Sequence, residues 1–288
     1  MSLVERAIDK LRASRASDKP TQPAQIGAIV DDGHERELDA TTSSRIIHVS
    51  RDALRGAGYL PEAGQDRRFA DQYRQLKRPV IAAAFAPPQG NANPRLVMMA
   101  SALPGDGKTF TSINLALSMA RERDVSVLLV DADTPKPHVS QIFGVDTEKG
   151  LIDALADEKV DVESLVLPTD VAGLSVLPAG QQRDGVTELL ASGRMRQLVE
   201  RLCDSRKRRI VLLDSPPLLL SSESRALVSN MGQVLLVVKS GHTPRQAVFD
   251  ALEYVGEGHA VSLVLNRGSE RLNEDYGYGA YGYGDNAN

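Results

Sequence analysis

From residue 96 onward the chain alternates short, almost unbroken runs of valine and leucine with longer stretches whose apolar residues recur every three or four positions. The runs cover 96–100, 125–130, 210–213, 234–238 and 261–265, and the helical stretches cover 109–123, 187–203 and 244–255. A strand with one face in water alternates apolar and polar residues, whereas a strand covered on both faces reads as a continuous apolar run. The pattern therefore predicts an α/β fold, a doubly wound and mostly parallel sheet flanked by helices. In such a sheet, ligands bind beyond the carboxyl ends of the strands.

Upstream, Leu3, Val4, Ala7, Ile8 and Leu11 recur at helical spacing, which predicts a short amphipathic helix that reads equally as a docking element or as a helix packed on its own domain. Residues 13–44 turn to Ser, Thr, Asp, Pro and Gly and read as a linker, with one short extended piece at 26–30. A helix is predicted over 66–77, ending before Pro79 because proline excludes the helical conformation just upstream of it. At the other end, Tyr276, Tyr278, Tyr281 and Tyr283 alternate with glycine, so four of the seven tyrosines lie within eight positions. Glycine lowers helix and strand stability, which leaves each phenol on a flexible tether able to reach another molecule. Three regions are expected: a helix and linker for partner docking over 1–64, a central domain over 65–268 and a glycine-tyrosine tail over 269–288.

Composition narrows this only slightly. Hydrophobic residues make up 42% and charged residues 25% of 288, ordinary values for a globular protein, and the net charge of −4 suggests no polyanionic partner. The basic groups 67–68 and 206–209 lack interleaved aromatics and read as solvated faces, so no nucleic acid is expected. A single cysteine, Cys203, leaves no intrachain disulfide and no CxxC site, and the five histidines show no zinc spacing. No apolar run approaches the ~20 residues of a membrane helix, and the first 15 residues hold no uninterrupted apolar segment of a secretory signal. The expectation is a cytoplasmic protein that meets the membrane only through a partner.

Chemistry enters at the end of the first run. The segment ALPGDGKT, residues 102–109, passes directly into a helix and reads as a phosphate-binding loop. Its glycines let backbone N–H groups turn around phosphate oxygens, and the helix N-terminus adds its positive dipole end. Lys108 would reach the β and γ phosphates, and Thr109 offers a hydroxyl to magnesium. The first position of the usual GxxxxGK[ST] pattern is Ala102 rather than glycine. Two later strands end in acids: VLLVDAD places Asp131 and Asp133 beyond one, and IVLLDSPP places Asp214 beyond another. Carboxylates at strand ends beside a phosphate loop hold magnesium or accept a proton from an attacking hydroxyl. One such acid alone would be read as a helix cap, but three beside one loop point to a site.

The set SALPGDGKT (101–109), LLVDAD (128–133) followed by Lys136 and Pro137, and VLLDSPP (211–217) resembles the bacterial tyrosine kinases of polysaccharide assembly. Those kinases are a branch of the P-loop ATPases related in fold to MinD and ParA, with Walker A, A′ and B motifs and a C-terminal tyrosine cluster. The opening SLVERAIDKL is most similar to the soluble autokinases of exosortase-linked exopolysaccharide clusters. The resemblance implies ATP and Mg²⁺ as cofactors, with Pro104, Gly105, Asp106, Gly107, Lys108, Thr109, Phe110 and Asn266 binding the nucleotide. It implies catalytic roles for Lys108, Asp131, Asp133 and Asp214. Of these, Asp131 would be the general base, Asp133 would bind the metal together with Thr109, and Asp214 would hold a metal-bound water. Tyr276, Tyr278, Tyr281 and Tyr283 would be the phosphoacceptors. From chemistry alone, Asn266 reads equally as an adenine contact or as a turn residue before Arg267 and Gly268.

The resemblance further implies a homo-oligomer, ring-shaped in the family, and a separate membrane chain-length regulator as activator. The family's ExxRxxR oligomerisation motif is matched by Asp71, Arg74 and Lys77, and lysine lacks the planar fork that makes bidentate ion pairs. The competing reading is a MinD/ParA-like switch ATPase without a tyrosine acceptor. Its loop carries an early lysine in KGGxGK[ST], and Leu103 followed by Pro104 stands there instead.

Overall fold

The computed structural model describes residues 46–268 apart from 63, 88–92, 205, 207 and 257–258. The helix expected over 3–11, the linker over 13–44 and the tail from 269 lie outside the described residues.

Seven strands form one sheet: β1 (Leu96–Ser101), β2 (Ser126–Asp131), β3 (Leu167–Pro168), β4 (Leu174–Leu177), β5 (Arg209–Asp214), β6 (Gln233–Lys239) and β7 (Ala260–Asn266). Their order is β3-β4-β2-β5-β1-β6-β7, parallel throughout except for the antiparallel edge pair β3 and β4. In β1, β2 and β5, successive residues feed opposite layers. Met98, Leu128, Val211 and Leu213 pack into one core, while Val97, Met99, Leu129 and Leu212 pack into the other. Both faces are dry, which is why the runs carry no polar alternation. The register sets Asp131 opposite Asp214, so β2 and β5 finish level, while β1, whose Met99 lies opposite Asp214, runs two residues further to Ser101 before the loop begins.

Nine helices lie among the described residues: α1 (Arg51–Gly56), α2 (Asp66–Ala84), α3 (Lys108–Met119), α4 (His138–Ile142), α5 (Leu151–Ala156), α6 (Val186–Ala191), α7 (Gly193–Asp204), α8 (Ser222–Val228) and α9 (Arg245–Val255). Helix α2 runs through Pro79 instead of stopping before it. An internal proline costs about 3 kcal/mol, and the turn beyond it offsets that by burying Val80 and Ala84 against the sheet. The single helix expected over 187–203 is two. Ser192 adopts an extended conformation, and its hydroxyl accepts a hydrogen bond from Met195 N to start α7.

Residues 46–62, within the N-terminal 1–64 region expected to hold a helix and linker, are built into the domain. Ile47 donates its N–H to Pro168 O at 2.8 Å and bridges to Thr169, and Leu54 and Leu60 are buried. The basic group at 206–209 is not wholly a solvated face. Arg209 is buried, pairs with Glu163 at 2.6 Å and donates to Leu202 O. Lys77 is likewise not on an open helix face: it is buried, donates to Ser118 O at 2.8 Å and pairs with Glu122 at 2.7 Å. Of the three positions matched to the oligomerisation motif, only Asp71 and Arg74 remain exposed, and they pair with each other.

Candidate active site

The phosphate loop leaves β1 at its carboxyl end and enters α3. Gly105 and Gly107 have φ of +82° and +94°, the left-handed region that glycine reaches without strain. Ala102 has no positive φ and is wholly buried, so a methyl group at the first motif position is tolerated. Among the described residues, none offers an acceptor to the backbone N–H groups of Gly105, Asp106, Gly107, Lys108 and Thr109. Orphaned donors curled around a helix N-terminus form an anion cradle, and polyphosphate suits it.

Asn266, at the end of β7, closes one side of the loop. Its Nδ2 donates to Asp106 O at 2.8 Å, and a Cβ placed on Gly107 would lie 1.9 Å from the same nitrogen. The amide therefore holds the loop with its nitrogen, which leaves Oδ1 as the atom able to accept from an adenine amine. Gly107→Ala is expected to fail on two counts, steric overlap with Asn266 and a left-handed φ. Nucleotide affinity should fall by about 10²-fold or more by ADP titration, two penalties of roughly 1–2 kcal/mol each. Affinity within threefold of wild type would show that the contact is not part of the site.

The charged centre forms where β2 and β5 end level, beside the loop that leaves β1. Lys108, 6% exposed, reaches Asp214 Oδ1 at 3.1 Å and Asp133 Oδ2 at 3.4 Å. Asp214 is completely buried, and it also accepts from Thr109 Oγ1 at 2.7 Å and from Ser112 Oγ at 2.8 Å. Asp131 is completely buried too. Its Oδ2 takes hydrogen bonds from the backbone N and the hydroxyl of Ser140, both at 2.7 Å, and its Oδ1 a longer one from Asp133 N at 3.3 Å. Burial, reinforced by the Asp214 charge, pushes Asp131 up to about 7. Burial also raises Asp133, against the pull of Lys108.

Lys108, Thr109, Asp131, Asp133 and Asp214 gather here, with Asp106, Gly107 and Asn266 joined along the loop. Pro104 and Gly105 are exposed on the loop, and the half-buried Phe110 packs its ring edge-on against Phe69 of α2 at 5.7 Å, which anchors the start of α3. Sequence reasoning missed Ser112, Ser140 and Tyr59. Ser112 lies one helical turn after Lys108, a spacing that marks the same face, whereas Ser140 belongs to a short helix with no sequence signal of its own. Tyr59 is raised by burial and then by the Asp214 charge, which places its phenol within the field of the site.

Comparison with known proteins agrees with this geometry. An AAA domain family model, AAA_31, matches residues 95–257. Tyrosine-protein kinase YwqD of Bacillus subtilis is 30% identical over 217 residues, which are 75% of this chain and 88% of YwqD. Tyrosine-protein kinase Etk of Escherichia coli is 33% identical over 186 residues, 64% of this chain and 25% of Etk, so the chain spans about a quarter of that longer relative. Among solved structures, the VpsO kinase domain superposes with a TM-score of 0.58 at 29% identity, covering 71% of this chain and 98% of that domain. With its phosphate loop and strand-end acids assembled on a parallel sheet, the chain belongs to the bacterial tyrosine-protein kinases, within the AAA-type P-loop ATPases.

Proposed function

We propose that this chain is an ATP- and Mg²⁺-dependent protein-tyrosine kinase that phosphorylates Tyr276, Tyr278, Tyr281 and Tyr283 of a neighbouring copy's tail. The observation that carries the reading is the convergence of Lys108, Thr109 and Ser112 on Asp214, with Lys108 also reaching Asp133, beside a loop whose N–H groups are free for phosphate. Phosphoryl transfer needs positioning and charge neutralisation more than covalent chemistry, and this arrangement offers both. Lys108 turns to the β and γ phosphates, the loop N–H groups hold their oxygens, and Asn266 meets the adenine. Thr109, Asp133 and Asp214 supply hard oxygen donors, which suits magnesium. That ion keeps several of its waters and needs only one or two carboxylates, so no cluster of three protein ligands is required, and among the described residues none is found. Bound there, magnesium neutralises charge on the transferring phosphate. Asp131 takes the phenol proton.

No described helix is long and apolar enough to cross a membrane. In our reading the kinase works at the inner face of the cell membrane. It is recruited from the cytoplasm by a separate chain-length regulator and acts on exopolysaccharide polymerisation and export. Each phosphotyrosine adds roughly −1.5 to −2 charge, so filling four sites repels neighbouring tails and loosens an assembly of subunits.

The test is incubation of the purified chain with ATP and Mg²⁺, alone and with the partner's cytosolic segment, followed by phosphotyrosine mapping by mass spectrometry. Phosphate is expected on the tail tyrosines and should vanish when all four are changed to phenylalanine. ATP hydrolysis with no tail phosphorylation in either sample would identify a switch ATPase instead.

A further inference from the structure

We propose that Thr243 is a positioning residue of the phosphate loop, acting through Asp106 to keep a carboxylate turned away from the phosphates. The inference rests on nucleotide binding at residues 102–109. A free carboxylate between two glycines of the loop would repel the phosphates and compete with them for the loop N–H groups. Asp106 is instead 1% exposed, and both of its oxygens are committed within the protein. Oδ2 accepts from Leu103 N at 3.1 Å, and Oδ1 accepts from Thr243 Oγ1 at 2.6 Å.

The direction of the second bond follows from the neighbour of Thr243. Lys239 N, at the end of β6, donates to Thr243 Oγ1 at 2.9 Å. A backbone N–H has no alternative role, so the hydroxyl accepts from Lys239 and its single proton points at Asp106. Thr243 is itself 5% exposed, on the turn that joins β6 to α9. β6 is hydrogen-bonded to β1 on one side and β7 on the other, so the turn is anchored to the sheet. Asp106 is thus held by its carboxylate from β6 and by its carbonyl, through Asn266, from β7. One residue connects the phosphate cradle with the expected adenine contact; burial raises its affinity for a proton above the usual carboxylate range, and the hydrogen bonds from Thr243 and Leu103 are the largest of the contacts that oppose that rise.

The experiment is a cycle of Thr243→Val, Thr243→Ser, Asp106→Ala and the double variant Thr243→Val/Asp106→Ala. It is read by ADP titration calorimetry and by the ATP dependence of tail phosphorylation. Valine keeps the shape and removes both hydrogen bonds of the hydroxyl. Loss of a hydrogen bond to a charged group should raise the ADP dissociation constant and the ATP KM by about 10-fold, with kcat falling less than about threefold. Thr243→Ser should restore the affinity, and Thr243→Val should have no added effect once Asp106 is alanine. A loss that persists in the Asp106→Ala background, or that serine does not repair, would make Thr243 a structural residue of the turn and overturn the proposal. Unchanged affinity in Thr243→Val would overturn it as well, while absence of ADP binding by the wild type would overturn the nucleotide reading together with it. Should Thr243→Val fail to fold, Thr243→Ala takes its place with the same expectations.

Discussion

Lys108→Met should lower tail phosphorylation by roughly 10³-fold or more, the scale of removing a cation that stabilises the transferring phosphoryl group. A second, separate effect is expected in the absence of nucleotide. Lys108 lies between Asp214, wholly buried, and Asp133, 6% exposed, with Asp131 buried close by. Removing one partner of a buried ion pair leaves uncompensated charge and costs about 3–5 kcal/mol, because the carboxylates stay desolvated while their counter-ion is gone. The hydroxyls of Thr109 and Ser112 still donate to Asp214 and soften the loss, so the lower end of that range is expected. Thermal denaturation of the nucleotide-free variant should therefore show a clear fall in Tm. Lys108→Arg separates the two effects. A guanidinium keeps the charge and most of the stability, but its planar fork does not reproduce the point charge that the phosphates require. Phosphotyrosine on the Lys108→Met tail within tenfold of wild type would remove Lys108 from the transfer step. An unchanged Tm would show that the buried pair contributes nothing net.

The same charges explain what sequence could and could not reveal. The central strands were legible because both faces of the sheet are dry and leave continuous valine and leucine runs. The loop and the acids were legible because their spacing from strand ends is fixed by chemistry. The edge of the sheet was not: β4 is four residues long, and β3 is two residues including Pro168. Neither is long enough to show a period. Helix α2 was cut short because local proline chemistry was weighed without the burial of Val80 and Ala84 beyond it. Lys77 was placed on an oligomer face by its spacing from Asp71, yet it is directed inward to Ser118 and Glu122, partners 41 and 45 positions away that no local pattern discloses. Ser140 and Thr243 share that fate. Thr243 acts through one hydroxyl on an acid 137 positions away, and Ser140, nine positions from Asp131, lies on a five-residue helix too short to show a period, so neither carries a signal of its own.

Asp131→Asn is the variant that decides which carboxylate takes the proton. A general base must come within hydrogen-bond reach of the phenol, and groups of this kind contribute about 10²–10⁴-fold. Two candidates face each other across the same backbone segment. Asp131 has the near-neutral affinity for a proton that suits a base at physiological pH, and its Oδ1 is held only by the 3.3 Å contact from Asp133 N. Its Oδ2 is pinned twice by Ser140, which fixes the carboxylate plane. Against it stands its complete burial, since a phenol reaches Oδ1 only if residues at the strand end yield. Asp133, the more exposed of the two, already faces Lys108, and the proposed magnesium site would use it as a ligand. Asparagine at 131 keeps the shape and one oxygen for Ser140 but cannot accept a proton. If Asp131 is the base, tail phosphorylation falls by about 10²-fold or more while ADP affinity stays within about threefold. Asp133→Asn should show the opposite division, with weaker metal-dependent nucleotide binding accompanying any loss of transfer. Parallel losses of affinity and transfer in Asp131→Asn would make Asp131 a framework acid and leave Asp133 as the group positioned to meet the incoming tyrosine.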